Sequence, residues 1–289
     1  VPVSLVRLRT RDGVWLDGGA VEPSRGRGAL VWVHGLGSAF SSGQPLVREL
    51  SARLRRAGLA YFKFDTRGHD VVAGRPPKLA GAAFERFEDS RHDLRAMIGF
   101  AAARGYRRVV LAGHSTGANK VLYYAARTRD RRVAGIALLG PVSDVAAEAR
   151  RVGAAELRRR IAHAARLARR DPGALVPRAW GFWSARRYLS LYRPGATEDV
   201  FPYYRPGARW SALRAARPPV AVILGARDEY LDRPAREVVA AFQRHAVAAR
   251  SFTGVVVPRA GHGFRGHEAE LARLLVRWTR GVLAGGPVR

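Results

Sequence analysis

Five consecutive residues, Gly113-His114-Ser115-Thr116-Gly117, set a serine between glycines two positions before and two after it. That spacing predicts a nucleophile elbow. In such an elbow a strained strand-to-helix turn lifts the hydroxyl clear of a sheet, and the flanking glycines let strand and helix approach closely. The N-terminus of the helix that follows favours negative charge. Five-residue matches arise by chance, so the context matters. Arg107 to Ala112 reads as a strand and Gly117 to Arg127 as a helix, which places the serine at their junction. The plain alternative is a Gly-rich helix entry with no chemistry.

A serine hydroxyl is a weak nucleophile and needs a base. Of eight histidines, His262 lies in Pro258-Arg259-Ala260-Gly261-His262-Gly263-Phe264, a loop after the last expected strand. In open α/β sheets, ligands bind beyond the carboxyl ends of the strands. His267 is the near alternative, at a helix start. The base in turn needs a carboxylate to fix its tautomer. Asp228 follows the strand Val220 to Leu224 after one short loop, and Glu229, Asp232 and Asp144 compete for the role. The order Ser115, Asp228, His262 is the nucleophile–acid–base order of α/β-hydrolases.

Acyl transfer also needs an oxyanion hole, in which one lost donor raises the barrier by about 3–4 kcal/mol. The backbone N–H of Thr116 is one expected donor. The N–H of Leu36, within His34-Gly35-Leu36-Gly37, is the other. A simple Gly-rich turn is the alternative reading of that loop.

These residues need elements to hold them. Val3 to Pro23 reads as two strands around Arg11-Asp12-Gly13. Ala29 to Val33 is a short apolar run suited to a strand buried on both faces. A helix over Pro45 to Ala57, a strand over Leu59 to Phe64 and a helix over Phe84 to Arg104 follow. After the elbow come a strand over Val133 to Leu139, one over Pro218 to Leu224, a helix over Arg233 to Ala248, a strand over Phe252 to Val257 and a helix over Glu268 to Val282. Strands alternating with helices imply parallel crossovers in a single sheet. The alternation fails between Pro141 and Pro218, where Ala146 to Arg170 reads as one Arg-rich helix. Residues 145–217 are therefore expected to form a helical, aromatic-rich cap on a core of 1–144 and 218–289.

With these segments in view, the chain resembles a serine hydrolase of the α/β-hydrolase superfamily. The matching pieces are HGLGS at 34–38, FDTRGHD at 64–70, GHSTG at 113–117, GARD at 225–228 and AGHGF at 260–264. The resemblance implies an α/β fold: a central, mostly parallel eight-stranded sheet flanked by helices, with a helical cap insertion. It also implies the catalytic roles of Ser115, Asp228 and His262. AFERFEDS (83–90), ANKVLYYAAR (118–127) and FWSARRYLSLY (182–192) resemble a bacterial and fungal branch, some fungal members of which cleave siderophore esters. The family pattern D-x-R-G-x-G is here Asp65-Thr66-Arg67-Gly68-His69-Asp70, a departure that bears on the pocket rim. A serine at the elbow sets the chain apart from dehalogenases and epoxide hydrolases, which in this fold use an aspartate. Thioesterase, lactonase, amidase, C–C hydrolase and acyltransferase chemistry would run on the same triad.

From Trp180 to Trp210 there are nine aromatic residues in 31, against 9% in the whole chain. Such enrichment suggests an apolar pocket lined from the cap, for a small, largely apolar acyl substrate. His34, Trp180, Trp183, Tyr188 and Tyr203 are its candidates, although these rings could equally seal cap to core. The preceding helix carries Arg150, Arg151, Arg158, Arg159, Arg160, Arg166, Arg169 and Arg170 beside a weak stripe of Leu157, Ile161, Ala165 and Ala168. A solvated lid face explains it better than a membrane-surface helix.

The 289 residues carry a formal charge of +28, and only Lys63, Lys78 and Lys120 of the 51 basic residues are lysine. Nucleic acid or an anionic membrane is a partner such charge allows. GC-rich coding explains the arginine more simply, and a small-molecule acyl substrate is the favoured partner. With no cysteine, disulfide scaffolds, thiolate metal sites and a cysteine nucleophile are excluded. P-loop, G-x-G-x-x-G and H-E-x-x-H motifs are absent, and no metal-ligand spacing is recognisable. The elbow chemistry needs no cofactor. The first residues, VPVSLVRLRT, do not read as a signal peptide, which makes a cytoplasmic location the default expectation. The rival from another class is a ligand-binding protein on the same fold without catalysis.

Overall fold

The computed structural model describes residues 1–26, 28–75 and 78–285. Its centre is an eight-stranded sheet. Strands β1 (Ser4–Arg9) and β2 (Trp15–Val21) form the expected antiparallel hairpin at one edge, and β2 pairs antiparallel with β4 (Leu59–Phe64). All other pairings are parallel, through β3 (Gly28–Val33), β7 (Arg108–His114), β8 (Val133–Leu139), β9 (Val220–Gly225) and β10 (Phe252–Val257). The spatial order is β1-β2-β4-β3-β7-β8-β9-β10. A separate small hairpin of β5 (Ala73–Arg75) and β6 (Lys78–Ala80) has no counterpart in the sequence reading.

The two-residue period of the strands divides the core into two layers. Ala29, Val31 and Val33 of β3, with Val109 and Leu111 of β7, face α2 (Ser90–Ala103), α3 (Thr116–Thr128) and α8 (Ala235–His245). Leu30 and Trp32, with Val110 and Ala112, face α1 (Gln44–Arg56) and α9 (Glu268–Ala284). The helices answer with their own period: Leu50 and Leu54 on α1, and Leu271, Leu275, Trp278 and Val282 on α9, are all buried. Strands buried on both faces need no alternation of polar residues, which is why β3 and β9 are continuous apolar runs and β4 is broken only by Lys63.

Between β8 and β9 lie α4 (Asp144–Val152), α5 (Ala154–Arg170), α6 (Ala185–Tyr192) and the short α7 (Ser211–Ala215). The single helix expected over 146–170 is broken at Gly153, whose φ of 86° belongs to the left-handed region. Serine oxygens cap two of the starts: Ser143 accepts from the amide of Ala146, and Ser184 from that of Arg187. The segment is not one unit in its packing. Ala164, Val176, Ala185, Tyr188 and Leu189 form a cluster of their own, while Val200, Phe201, Tyr203, Trp210 and Leu213 pack into the main core against α3 and α8.

A charged group is sealed where this segment meets the core. Arg187 is fully buried and pairs with Glu198 and, at 3.4 Å, with Glu85; Lys120 lies 2.6 Å from the other oxygen of Glu85. The Arg187 Nε also donates to the carbonyl of Ala82. Two cations therefore meet two carboxylates away from water, and each one's desolvation is offset only while the others are present.

Candidate active site

Ser115 sits at the end of β7 and just before α3, with φ 55° and ψ −129°. A non-glycine residue in such a conformation stores about 1–3 kcal/mol of strain. The surroundings impose it. Ser115 N–H donates to the Leu139 carbonyl of β8 at 2.9 Å, and its own carbonyl accepts from Ala118 at 2.8 Å. A Cβ on Gly113 would stand 2.3 Å from the carbonyl oxygen of Gly117, and one on Gly117 2.3 Å from that of Val33, so both positions demand glycine. The amide of Thr116 opens α3 and has no partner within the helix. Leu36 is on the loop after β3, and both residues border one cavity with Ser115.

That loop is held by His34. Its Nε2 accepts from the Thr66 amide at 2.9 Å, and its Nδ1–H donates to the Gly35 carbonyl, also at 2.9 Å. Burial, reinforced by the nearby Lys120 charge, pushes the His34 pKa down to about 3, so the ring stays neutral and keeps this tautomer. His34 was a pocket candidate; it lies beneath the site and positions it. Asp70 adopts φ 52° where the family pattern has glycine; its amide donates to the Ser38 carbonyl and ties the two loops together. Aspartate is among the few residues that enter this region at moderate cost.

Beyond the ends of β9 and β10, His262 Nδ1 lies 2.8 Å from Asp228 Oδ2. The Asp228 side chain is inaccessible to solvent, and its Oδ1 accepts from the Tyr230 amide at 3.1 Å. A carboxylate only accepts, so the Nδ1 carries the proton and Nε2 is left with a free lone pair. The competing acids are placed differently. Glu229 Oε2 accepts from the backbone amide of His262 at 2.9 Å. Burial opposes its charge, but that hydrogen bond and the His262 ring hold the carboxyl below its ordinary range. Asp232 pairs with Arg233, and His267 faces Glu270 at the start of α9. Asp144 borders the cavity without touching the His262 ring.

Ser115 and His262 open into a cavity of about 670 Å³, bordered also by His114, Val142, Asp144, Tyr192 and Tyr230. Asp228 stands behind His262 and does not border the cavity. Among the described residues the Ser115 hydroxyl holds no hydrogen bond, and a serine–histidine bond of this kind often closes only when substrate binds.

The ring candidates do not line this cavity. Tyr188 is fully buried in the cluster between α5 and α6, with Trp180 and Trp183 packed on it. Trp180 also stacks edge-on to His163 and beneath the Arg160 guanidinium. Tyr203 is buried in the main core, where its hydroxyl accepts from the Ser143 amide at 2.8 Å and fixes the start of α4. These rings bury apolar area between helices; of the aromatic segment, only Tyr192 reaches the site. The insertion faces the cavity mainly through α4, with Asp144, Ala147, Glu148 and Arg151.

Sequence reasoning passed over two tethers. His114 Nε2 lies 2.9 Å from the His262 carbonyl, and Arg150 donates to the carbonyls of Leu231 and Glu229. The first had a signal, since the residue before the elbow serine must point beside it. The second had none, because it joins segments some 80 positions apart.

A model of the alpha/beta hydrolase family matches residues 30–274. The chain belongs to that family and is a hydrolase. Solved structures of similar fold include a monoglyceride lipase from Saccharomyces cerevisiae, at TM-score 0.70 and 17% identity over 98% of this chain and 96% of that one. A siderophore hydrolase from Aspergillus fumigatus matches at TM-score 0.68 and 21% identity, covering 98% of each chain. An esterase from Pyrococcus furiosus matches at TM-score 0.64 and 16% identity, over 99% of this chain and 91% of that one. No curated protein sequence matches the chain. No helix among the described residues is long and apolar enough to cross a membrane.

Proposed function

We propose that this hydrolase cleaves carboxylic esters of small acyl substrates through Ser115, His262 and Asp228. The observation that supports this most is the buried Asp228–His262 hydrogen bond on the cavity that holds a strained, elbow-borne Ser115. In this reading His262 Nε2 takes the Ser115 proton as Oγ attacks the ester carbonyl. The tetrahedral oxyanion is met by the amides of Thr116 and Leu36. Collapse expels the alcohol, which takes the proton from His262. Water, deprotonated by the same ring, then attacks the acyl-enzyme and releases the acid and Ser115. Residues 145–217 act as the cap, with α4 and Tyr192 as its contribution to the pocket.

That esterase, lipase and siderophore-hydrolase structures share the fold favours an ester over the other acyl bonds this triad could serve. The test is hydrolysis of p-nitrophenyl esters from acetate to palmitate by the wild type and Ser115→Ala, with fluorophosphonate labelling of the intact protein. Labelling at Ser115, and turnover that falls by about 10³-fold or more in the variant, is the expected result. Turnover that survives the substitution, or a Ser115 that takes no label, overturns the proposal.

A further inference from the structure

The cavity is edged by charge as much as by hydrocarbon. Asp144, Ala147, Glu148 and Arg151 fall at i, i+3, i+4 and i+7 of α4, one stripe facing Ser115 and His262. Of the charged groups around the cavity, nearly all are matched by the protein itself. Glu148 is paired with Arg151 at 2.7 Å and with Arg160 at 3.6 Å. Arg150 is spent on two carbonyls, Glu229 on the His262 amide, and His114 on the His262 carbonyl.

Asp144 is the exception. Among the described residues its carboxyl has no hydrogen bond; the charges of Glu198, Arg187, His262 and Asp199 reach it, and it in turn bears on the Tyr192 and Tyr203 hydroxyls. Arg187 does not neutralise it, being engaged by Glu198 and Glu85. Burial, then the Glu198 charge, lift the Asp144 pKa to about 7. The residue is half-buried, and its open side is the cavity that Ser115 and His262 border, so a donor bound there would complete it.

We infer that Asp144 selects the substrate, accepting a hydrogen bond from a neutral N–H or O–H group, so that the esters this chain cleaves carry such a donor near the scissile bond. This rests on the serine-hydrolase reading above. A neutral donor fits better than an ammonium group: Arg150 and Arg151 border the same cavity, Arg187 lies behind it, and the whole chain is at +28. A metal ion fits worse, since no grouping of three His, Asp or Glu side chains that could hold one occurs among the described residues.

Matched esters test this. On the acyl side, the p-nitrophenyl esters of N-acetylglycine, N-acetyl-β-alanine and N-acetyl-γ-aminobutyrate are set against 4-oxopentanoate, 5-oxohexanoate and 6-oxoheptanoate, in which CH₂ replaces the N–H. On the alcohol side, 2-acetamidoethyl acetate is set against 4-oxopentyl acetate. In the wild type, kcat/KM favours the N–H member by at least about tenfold in one series. Asp144→Ala brings that ratio to near one, and Asp144→Asn, which keeps an acceptor oxygen, leaves it between the two. A wild type indifferent to the N–H in both series overturns the inference whatever the variants do, as does a preference that survives Asp144→Ala. Fluorophosphonate labelling separates the levels: a labelled Ser115 without discrimination removes only this inference, and an unlabelled Ser115 removes the serine-hydrolase reading with it.

Discussion

His114, inside the elbow, donates from Nε2 to the carbonyl oxygen of His262, 2.9 Å away and 148 positions later in the chain. The carbonyl can only accept, so this ring holds its proton on Nε2. Burial, then the neighbouring His262 ring, push its pKa down to about 4 and keep it neutral. The turn that carries Ser115 and the loop that carries His262 are thus joined by one bond. His114→Phe keeps the ring volume beside Trp32 and Phe264 but removes that bond. The expected outcome is a fall in kcat of about tenfold with KM changed by less than threefold, because the base is misplaced and not lost. Steady-state kinetics on a p-nitrophenyl ester, beside a thermal melt, checks it.

The two acids on the 228–232 loop should separate cleanly. Asp228→Asn leaves His262 Nδ1 facing an amide and allows the wrong tautomer, with an expected loss of about 10³–10⁴-fold in kcat. Glu229→Gln still presents an oxygen to the His262 amide, and about a tenfold loss or less is expected. If Glu229→Gln proves the more damaging, the acid has been assigned to the wrong residue.

Stability should depend on pH through the buried histidines. His34 is held down to about 3 and His114 to about 4, whereas both rings titrate near 6.5 when unfolded. Between those values the unfolded chain binds more protons, so unfolding free energy rises with pH. The contribution is complete above about 6.5 and is lost as pH falls towards 4 and 3. Asp144, raised to about 7, acts with the opposite sign and offsets about one of the two rings. Urea midpoints from pH 7 to pH 5 should fall, and the fall should be shallower in His34→Gln. An identical slope in that variant would contradict the assignment.

The buried charge group should be far more sensitive than the surface pairs. Arg187→Met leaves two buried carboxylates, Glu198 and Glu85, with Lys120 on Glu85 as the remaining cation of the group. A loss of about 3–5 kcal/mol in unfolding free energy is expected. Removing the exposed Arg7–Asp17 pair by Arg7→Ala should cost less than about 1 kcal/mol. Denaturant melts of the two variants make the comparison.

The sheet, the elbow and the positions of Ser115, Asp228 and His262 at strand ends were legible in the chain. Each depends on a local rule: apolar runs for buried strands, paired glycines at a strand–helix junction, short loops after the last two sheet strands. Leu36 and Thr116 border the cavity for the same reason. The break at Gly153 was also local, and was missed because helix-favouring residues on both sides outweighed one glycine. The pocket was of another kind. Aromatic enrichment from 180 to 210 showed that rings would be buried, but the partner that buries a ring is chosen by helix packing and not by composition. Trp180, Trp183 and Tyr188 seal α5 to α6, and Tyr203 anchors α4. Likewise, Asp144 and Glu229 stood in the sequence only as rival acids. Which carboxylate meets the imidazole, which holds its backbone and which is left facing the cavity depends on distances between β8, β9 and β10, and only the folded chain sets those.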